Sequence, residues 1–287
     1  MSADAPTPAP AITVEQALRA AQAQGLARID AQLLLLHTLG RDRHDRAWLI
    51  SHDQDALPAP AAERWAALVA RRAASEPLAY LTGSKAFYGL ELHIDARVLD
   101  PRPDTETLVD WALELIPQLP LAAPLRVIDL GTGSGAIALA LKSQRPDLHV
   151  SAIDASPDAL AVAEANATRL GLPVNFRLGS WLTGVDEQYA LIVSNPPYIA
   201  ADDPHLATLT HEPLQALTSG PDGLDDIRHI ISQAPARLTP GGWLLLEHGW
   251  DQAEAVRALL TQAGWGQVQS RRDLAGVERC SGGCWGG

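Results

Sequence analysis

From Leu125 to Arg271 the chain switches repeatedly between two hydrophobic periods. Short apolar runs such as Arg126-Val127-Ile128-Asp129-Leu130 and Leu191-Ile192-Val193-Ser194 alternate with longer stretches whose apolar residues recur at helical spacing. Near-continuous apolar strands are those buried on both faces, which happens when helices connect parallel strands and cover the sheet. The pattern predicts strands over 126–130, 150–154, 174–178, 191–194, 243–247 and 267–271. It predicts helices over 136–143, 157–170, 224–238 and 252–263. Ser156-Pro157 is helix-start chemistry and Gly171 a helix stop. The fold class that results is α/β, with a doubly wound, mainly parallel sheet.

The segment before it has another texture. Thr13 with Gln16 three positions on forms a capping box, apolar residues follow at Ala17, Leu18 and Ala21, and Gly25 closes the segment. Further helices are predicted over 29–39, ending at Gly40, and over 60–74. No strand pattern interrupts them, so residues 12–78 read as a small helical domain behind a disordered tail, residues 1–11. Residues 79–105 read as a linker containing a β-hairpin, around Phe87-Tyr88-Gly89-Leu90. The α/β domain then covers 106–287.

Two loops at predicted strand ends carry the chemistry. The first is Leu130-Gly131-Thr132-Gly133-Ser134-Gly135-Ala136, a strand end, a glycine turn and a helix start. Glycines there let the backbone turn sharply and let a ligand approach closely. Asp154 ends the next strand, where a carboxylate can accept hydrogen bonds from both hydroxyls of a ribose. Gly131-x-Gly133-x-x-Ala136 also satisfies a dinucleotide fingerprint, so a nicotinamide cofactor and S-adenosylmethionine both fit the loop. Trp181 follows the third strand. It is either a core indole or a face for a purine.

The second loop is Asn195-Pro196-Pro197-Tyr198, directly after the strand over 191–194. Two consecutive prolines cannot continue a strand, since each lacks an N–H and has a fixed φ. They freeze the carbonyls of Asn195 and Pro196 and set the Tyr198 ring beside an amide. Such a site offers acceptors to an NH2 group and a flat face to a planar substrate. A Pro-rich loop that merely closes a strand is the bland reading of the same four residues. The position of the tetrapeptide after the fourth strand, where a methyltransferase places its acceptor, favours S-adenosylmethionine over a nicotinamide. No Ser/Tyr/Lys or His/Asp set suited to hydride transfer accompanies the loop.

A net charge of −12 and a pI near 5.1 argue against binding driven by phosphate neutralisation. Lys85 and Lys142 are the only lysines; arginine supplies the remaining positive charge. Cys280 and Cys284 are too few for a disulfide framework and have no zinc-ligand spacing, so no metal is expected. The start lacks signal-peptide character, and Leu33-Leu34-Leu35-Leu36 is far too short for a membrane span. A cytoplasmic protein without membrane or direct nucleic-acid partners is expected. His205, His211 and His248 form no recognisable catalytic set.

Taken in order, Tyr80-Leu81-Thr82-Gly83, Pro101-Arg102-Pro103-Asp104-Thr105-Glu106, the glycine loop, Ser194-Asn195-Pro196-Pro197-Tyr198-Ile199 and Leu246-Glu247-His248-Gly249-Trp250 resemble the release-factor glutamine methyltransferases, the HemK-like protein-(glutamine-N5) methyltransferases. The resemblance spans about Ile12 to Arg279. It implies a class I S-adenosylmethionine-dependent methyltransferase domain behind a helical domain that docks substrate. It implies methylation of the glutamine in the Gly-Gly-Gln loop of peptide chain release factors; a monomer is expected. Carried over by position, Gly131, Thr132, Gly133, Ser134, Gly135, Asp154, Trp181 and Asn195 contact the methyl donor. Asn195, Pro196, Pro197 and Tyr198 hold the glutamine, with Asn195, Pro196 and Tyr198 as the catalytic set.

The chain departs from the family in three places. Ser180 stands where an acidic residue often precedes the tryptophan, and Asp100 stands where an aliphatic residue is usual. Cys280-Ser281-Gly282-Gly283-Cys284-Trp285-Gly286-Gly287 departs from the family's final strand. Two other readings use the same residues: a nucleic-acid adenine-N6 methyltransferase, and a non-catalytic protein that binds S-adenosylmethionine or release factor.

Overall fold

The computed structural model describes residues 12–119 and 125–286, so the expected tail over 1–11 lies outside the described residues. The chain divides into two units, Met1–Gly83 and Ser84–Gly287. The first unit is helical: α1 Val14–Ala23, α2 Arg28–Thr38, α3 Arg46–Ser51, α4 Ala59–Ala73 and α5 Leu78–Thr82. The capping box forms as read. Gln16 N donates to Thr13 Oγ1 at 3.3 Å and Thr13 N to Gln16 Oε1 at 3.0 Å. Helix α2 is central and touches the other four. That explains Leu34, Leu35 and Leu36, three successive leucines with no exposed surface, because a helix packed on several sides has no polar face to spare. The sequence reading put 79–82 in the linker. The structure instead closes the helical unit with α5, a single turn too short to show a period.

The second unit opens with the hairpin of β1 Ser84–Phe87 and β2 Leu90–His93. Tyr88 and Gly89 turn it with φ of 47° and 76°, the left-handed pair that matches strand twist. Then come α6 Glu106–Leu115, β3 Arg126–Leu130, α7 Ala136–Gln144, β4 His149–Asp154, α8 Pro157–Leu170, β5 Asn175–Leu178, β6 Tyr189–Ser194, α9 Asp225–Gln233, β7 Leu238–Glu247, α10 Ala253–Gln262, β8 Gly266–Arg272 and β9 Glu278–Cys284. Helix α8 starts on Ser156, whose Oγ accepts from Ala159 N at 3.2 Å, and stops at Gly171. Among the described residues no helix is long and apolar enough to cross a membrane.

The seven strands lie in the order β5-β4-β3-β6-β7-β9-β8. Pairs from β5 through β7 are parallel; β9 runs antiparallel to both neighbours. Strands β4 and β5 extend the sheet to one side of β3, and β6 and β7 to the other. The direction of winding therefore reverses between β3 and β6, and a crevice opens at their carboxyl ends. Leu130 and Ser194 are register partners at that edge, so the glycine loop and the Asn-Pro-Pro-Tyr loop leave the sheet side by side.

The divergent C-terminal end is a buried strand. A Cβ on Gly282 would lie 2.4 Å from the Leu244 carbonyl oxygen and 3.0 Å from the Trp111 ring, so only glycine lets β9 sit against β7 and α6. Cys280 and Cys284 are both buried in β9 as free thiols, and burial pushes both thiols above their usual pKa.

Candidate active site

The glycine loop is held from below. Asp129, fully buried in β3, accepts from Thr132 Oγ1 at 2.6 Å and from Ala138 N at 3.3 Å through one oxygen. Its other oxygen has no partner, and burial pushes its carboxyl up to about 7. Thr132 and Ser134 are buried, and with Gly135 they shape the loop from inside without lining the crevice. Gly131 and Gly133 face outward with φ of 69° and 55°. At Gly131 a Cβ would stand 3.2 Å from the Trp181 ring, so the loop passes directly against the indole.

Asp154 ends β4 and grips two backbones. Its Oδ2 accepts from Gly133 N at 2.8 Å and its Oδ1 from Ser156 N at 2.9 Å. Burial raises its pKa against those hydrogen bonds. With Ala155 N a third backbone donor, the carboxylate still keeps acceptor capacity for a ligand hydroxyl. Trp181 sits at φ 52°, uncommon for a bulky residue. It is held there by Nε1–H donation to Asp226 Oδ1 at 3.2 Å. Asp226, on α9, is fixed in turn by Ser219 Oγ, which donates to Oδ2 at 2.7 Å. Ser180 and Asp226 line the same cavity, so an acidic group is present there although position 180 carries none.

Gly131, Gly133, Asp154, Trp181, Asn195 and Pro197 lie on one cavity of about 550 Å³. A second cavity, of about 650 Å³, opens on the other side of Asn195 and is lined by Tyr198, Arg102, Gln252 and Trp250 among others. The two share Asn195, Leu99 and Ala216. Pro196 is buried and lines neither. Both volumes fall in the range of small-molecule sites.

Three residues outside the predicted set support the Asn-Pro-Pro-Tyr loop. Asn195 Nδ2 donates to Thr105 Oγ1 at 3.4 Å. Glu247, at the end of β7, is a buried carboxyl whose Oε2 has no partner, and burial pushes its pKa up to about 7. Gln252 Nε2 donates to the Tyr198 carbonyl at 3.0 Å and to the Asp222 carbonyl at 3.3 Å, while its Oε1 accepts from Gly249 N at 2.8 Å. Arg102 Nη2 donates to Glu212 Oε1 at 2.6 Å and anchors the loop that follows Tyr198. Burial, then the charge of Glu247, pushes the Tyr198 phenol well above its usual pKa, so it stays protonated and cannot serve as a base. Asp100 pairs with Lys85 at 2.9 Å, which gives this buried carboxylate its counter-charge. His248 is buried between the Gly249 carbonyl and Ser281 Oγ, and burial lowers its pKa. Trp250 stands largely exposed at the rim of the second cavity.

Known proteins with this arrangement can be compared along the whole chain. The Methyltransferase small domain model matches residues 109–262, and the PrmC N-terminal domain model matches residues 13–83. A release factor glutamine methyltransferase of Bordetella pertussis is 52% identical over 263 residues, covering 90% of this chain and 95% of that protein. Its counterpart in Burkholderia pseudomallei is 48% identical and covers 99% of both chains. That of Escherichia coli is 42% identical, covering 93% of this chain and 95% of its own. Among solved structures, the hMettl16 catalytic domain in complex with MAT2A 3'UTR hairpin 1 superposes with a TM-score of 0.57 at 16% identity, over 80% of this chain and 81% of that one. At that identity the likeness is one of fold. Near-complete coverage at 42–52% identity settles the ancestry: the chain belongs to the release factor glutamine methyltransferase family.

Proposed function

We propose that this protein methylates the side-chain amide nitrogen of the glutamine in the Gly-Gly-Gln loop of peptide chain release factors, with S-adenosylmethionine as donor. The observation that carries the reading is the meeting of two cavities at Asn195. One has the glycine loop, a ribose-ready carboxylate and an indole; the other is open to solvent and bounded by Tyr198. The residues present fit the donor. A cradle at Gly131 that a Cβ would crowd lies beside Asp154, whose oxygens retain acceptor capacity. Gly131, Gly133, Asp154 and Trp181 would hold it, and when bound it supplies a methyl group on a sulfonium.

A primary amide nitrogen is a poor nucleophile because its lone pair is delocalised into the carbonyl. The chain's task is therefore to hold that nitrogen in place. Asn195 Oδ1 accepts one of its N–H bonds and the Tyr198 ring packs against the amide plane, while Pro196, which lines neither cavity, holds the loop in shape. Placement of this kind is worth up to about 7–11 kcal/mol in favourable cases. Tyr198, held protonated, takes no proton.

The helical unit is assigned to docking of the protein substrate. Methyl transfer from labelled S-adenosylmethionine to purified release factor, run beside DNA and RNA, tests the reading. Label on the release-factor glutamine is expected. Label on adenine, or binding without transfer, would replace the reading with one of its two competitors.

A further inference from the structure

We infer that Arg102 holds the carbonyl end of the substrate amide and so decides which end of that amide turns to the methyl donor. The inference rests on the reading that the glutamine side chain enters the cavity bounded by Tyr198 and gives an N–H to Asn195 Oδ1. A primary amide has nearly the same outline when flipped, so shape cannot set its direction; hydrogen bonds must. Such an amide brings donors at one end and an acceptor at the other. Asn195 answers the donor end. The carbonyl oxygen needs a donor of its own once water is excluded, since a desolvated polar atom left unpaired costs affinity.

Arg102 stands where that donor is needed. It lines the cavity of Asn195 and Tyr198 and does not line the one holding Gly131, Asp154 and Trp181, whereas Asn195 lines both. An amide with its nitrogen at Asn195 and its oxygen toward Arg102 therefore presents nitrogen to the donor side and carries oxygen away from it. Gln252, Asn195 and Tyr198 cannot serve in its place. Gln252 Nε2 gives its N–H bonds to the Tyr198 and Asp222 carbonyls, and Asn195 Nδ2 donates to Thr105. The Tyr198 hydroxyl lies in the plane of its ring. A ring laid on the face of the amide holds that hydroxyl out of the amide plane, where a carbonyl oxygen accepts poorly.

The guanidinium is braced without being used up. Its Nη2 donates to Glu212 Oε1 at 2.6 Å, while Asp100 Oδ2 lies 3.6 Å from Nη1, an ion pair beyond hydrogen-bond length. Glu212 Oε2 has no partner, so this pair is single-pronged and not the fork that occupies two guanidinium nitrogens at once. A guanidinium has five N–H bonds, and Glu212 takes one. Both acids are buried and neither lines the cavity, so they sit behind a cation whose side chain is still 34% exposed. Lys85 pairs with Asp100 at 2.9 Å, and the two acids and two bases balance in charge. A donor fixed in this way loses little freedom when it binds.

The test is a double-mutant cycle between enzyme and substrate. It reads the dissociation constant of release factor in the presence of S-adenosylhomocysteine, the demethylated product. Two release factors are titrated, one with the target glutamine and one with methionine there, a side chain of like length without an amide. The glutamine preference is the ratio of the two constants. Arg102→Met is expected to cut that preference, and kcat/KM with it, about tenfold to a hundredfold, with S-adenosylmethionine affinity within about twofold. Asn195→Ala is expected to cut the preference as well. Folded Arg102→Met with the wild-type preference overturns the inference whatever its activity, because a residue that only anchors the loop weakens both release factors alike. Should Arg102→Met not fold, Arg102→Met combined with Glu212→Leu, which removes the ion pair whole, runs the same cycle. Preference lost in Asn195→Ala and kept in the Arg102 variant sinks the role of Arg102 alone. Preference kept in both shows that the glutamine does not enter this cavity, and removes the reading beneath the inference.

Discussion

Ser194 Oγ donates to the Leu130 carbonyl at 2.7 Å, tying together the last residues of β6 and β3. These are the residues from which the Asn-Pro-Pro-Tyr loop and the glycine loop depart. This buried hydrogen bond adds to the β3–β6 ladder in holding the spacing between the proposed acceptor site and the proposed donor site. Ser194→Ala should cost about 0.5–1.5 kcal/mol of stability, read as a shift in the urea midpoint without a change in slope. Turnover should fall by more than that stability loss explains, since the loops lose their common tether. A stability loss with unchanged turnover would show that the tether serves folding alone.

Asp154 should govern cofactor affinity and its dependence on pH. Asp154→Ala removes the proposed diol acceptor and frees the glycine loop at Gly133 N. Calorimetry is expected to show a dissociation constant raised about tenfold to a hundredfold. In the wild type, diol hydroxyls donate to the ionised carboxylate, so affinity falls as pH falls through the folded pKa. Burial raises that pKa, so the loss should begin above the ordinary carboxylate range. Affinity flat through that range, or unchanged in folded Asp154→Ala, contradicts the assignment.

Gln252 should act through Tyr198. Gln252→Glu keeps the acceptor for Gly249 N but cannot donate to the Tyr198 and Asp222 carbonyls. The expected result is kcat lowered about tenfold or more with cofactor affinity near wild type, because the tetrapeptide loses its clamp. Parallel losses of stability and affinity would mark Gln252 as a fold residue only.

How far the sequence reveals this molecule follows from how local each signal is. Strands β3 and β6 are legible because burial on both faces makes them apolar throughout, and the Thr13 capping box is complete within four residues. Helices α3 and α5, of six and five residues, are too short to show a period. Strand β9 is hidden for another reason. Ser281-Gly282-Gly283 has little strand propensity, and its place depends on how closely its backbone approaches Leu244 and Trp265. The same division runs through the site. Gly131, Gly133 and Asn195 announce themselves in short motifs. Asp226, Gln252 and Thr105 meet Trp181, Tyr198 and Asn195 across 45, 54 and 90 residues of chain. No local pattern registers contacts over such separations.

Docking and chemistry should separate at Gly83. A chain beginning at Ser84 retains the whole sheet unit. It is expected to bind S-adenosylmethionine with near-normal affinity while kcat/KM for intact release factor falls about a hundredfold, the loss expected when one of two binding modules is removed. If the shortened protein is folded and methylates release factor with full efficiency, the helical unit does not dock substrate.

The most direct test of the amide-positioning account is single-turnover methylation of release factor by Asn195→Ala at saturating S-adenosylmethionine. The substitution removes the acceptor where the two cavities meet, and leaves Gly131, Gly133, Asp154 and Trp181 in place. Loss of one positioned hydrogen-bonding group of this kind costs about 10²–10³ in rate. The account predicts a loss of that size, with cofactor binding changed far less in a parallel titration. Methyl transfer at the wild-type rate by folded Asn195→Ala would contradict it.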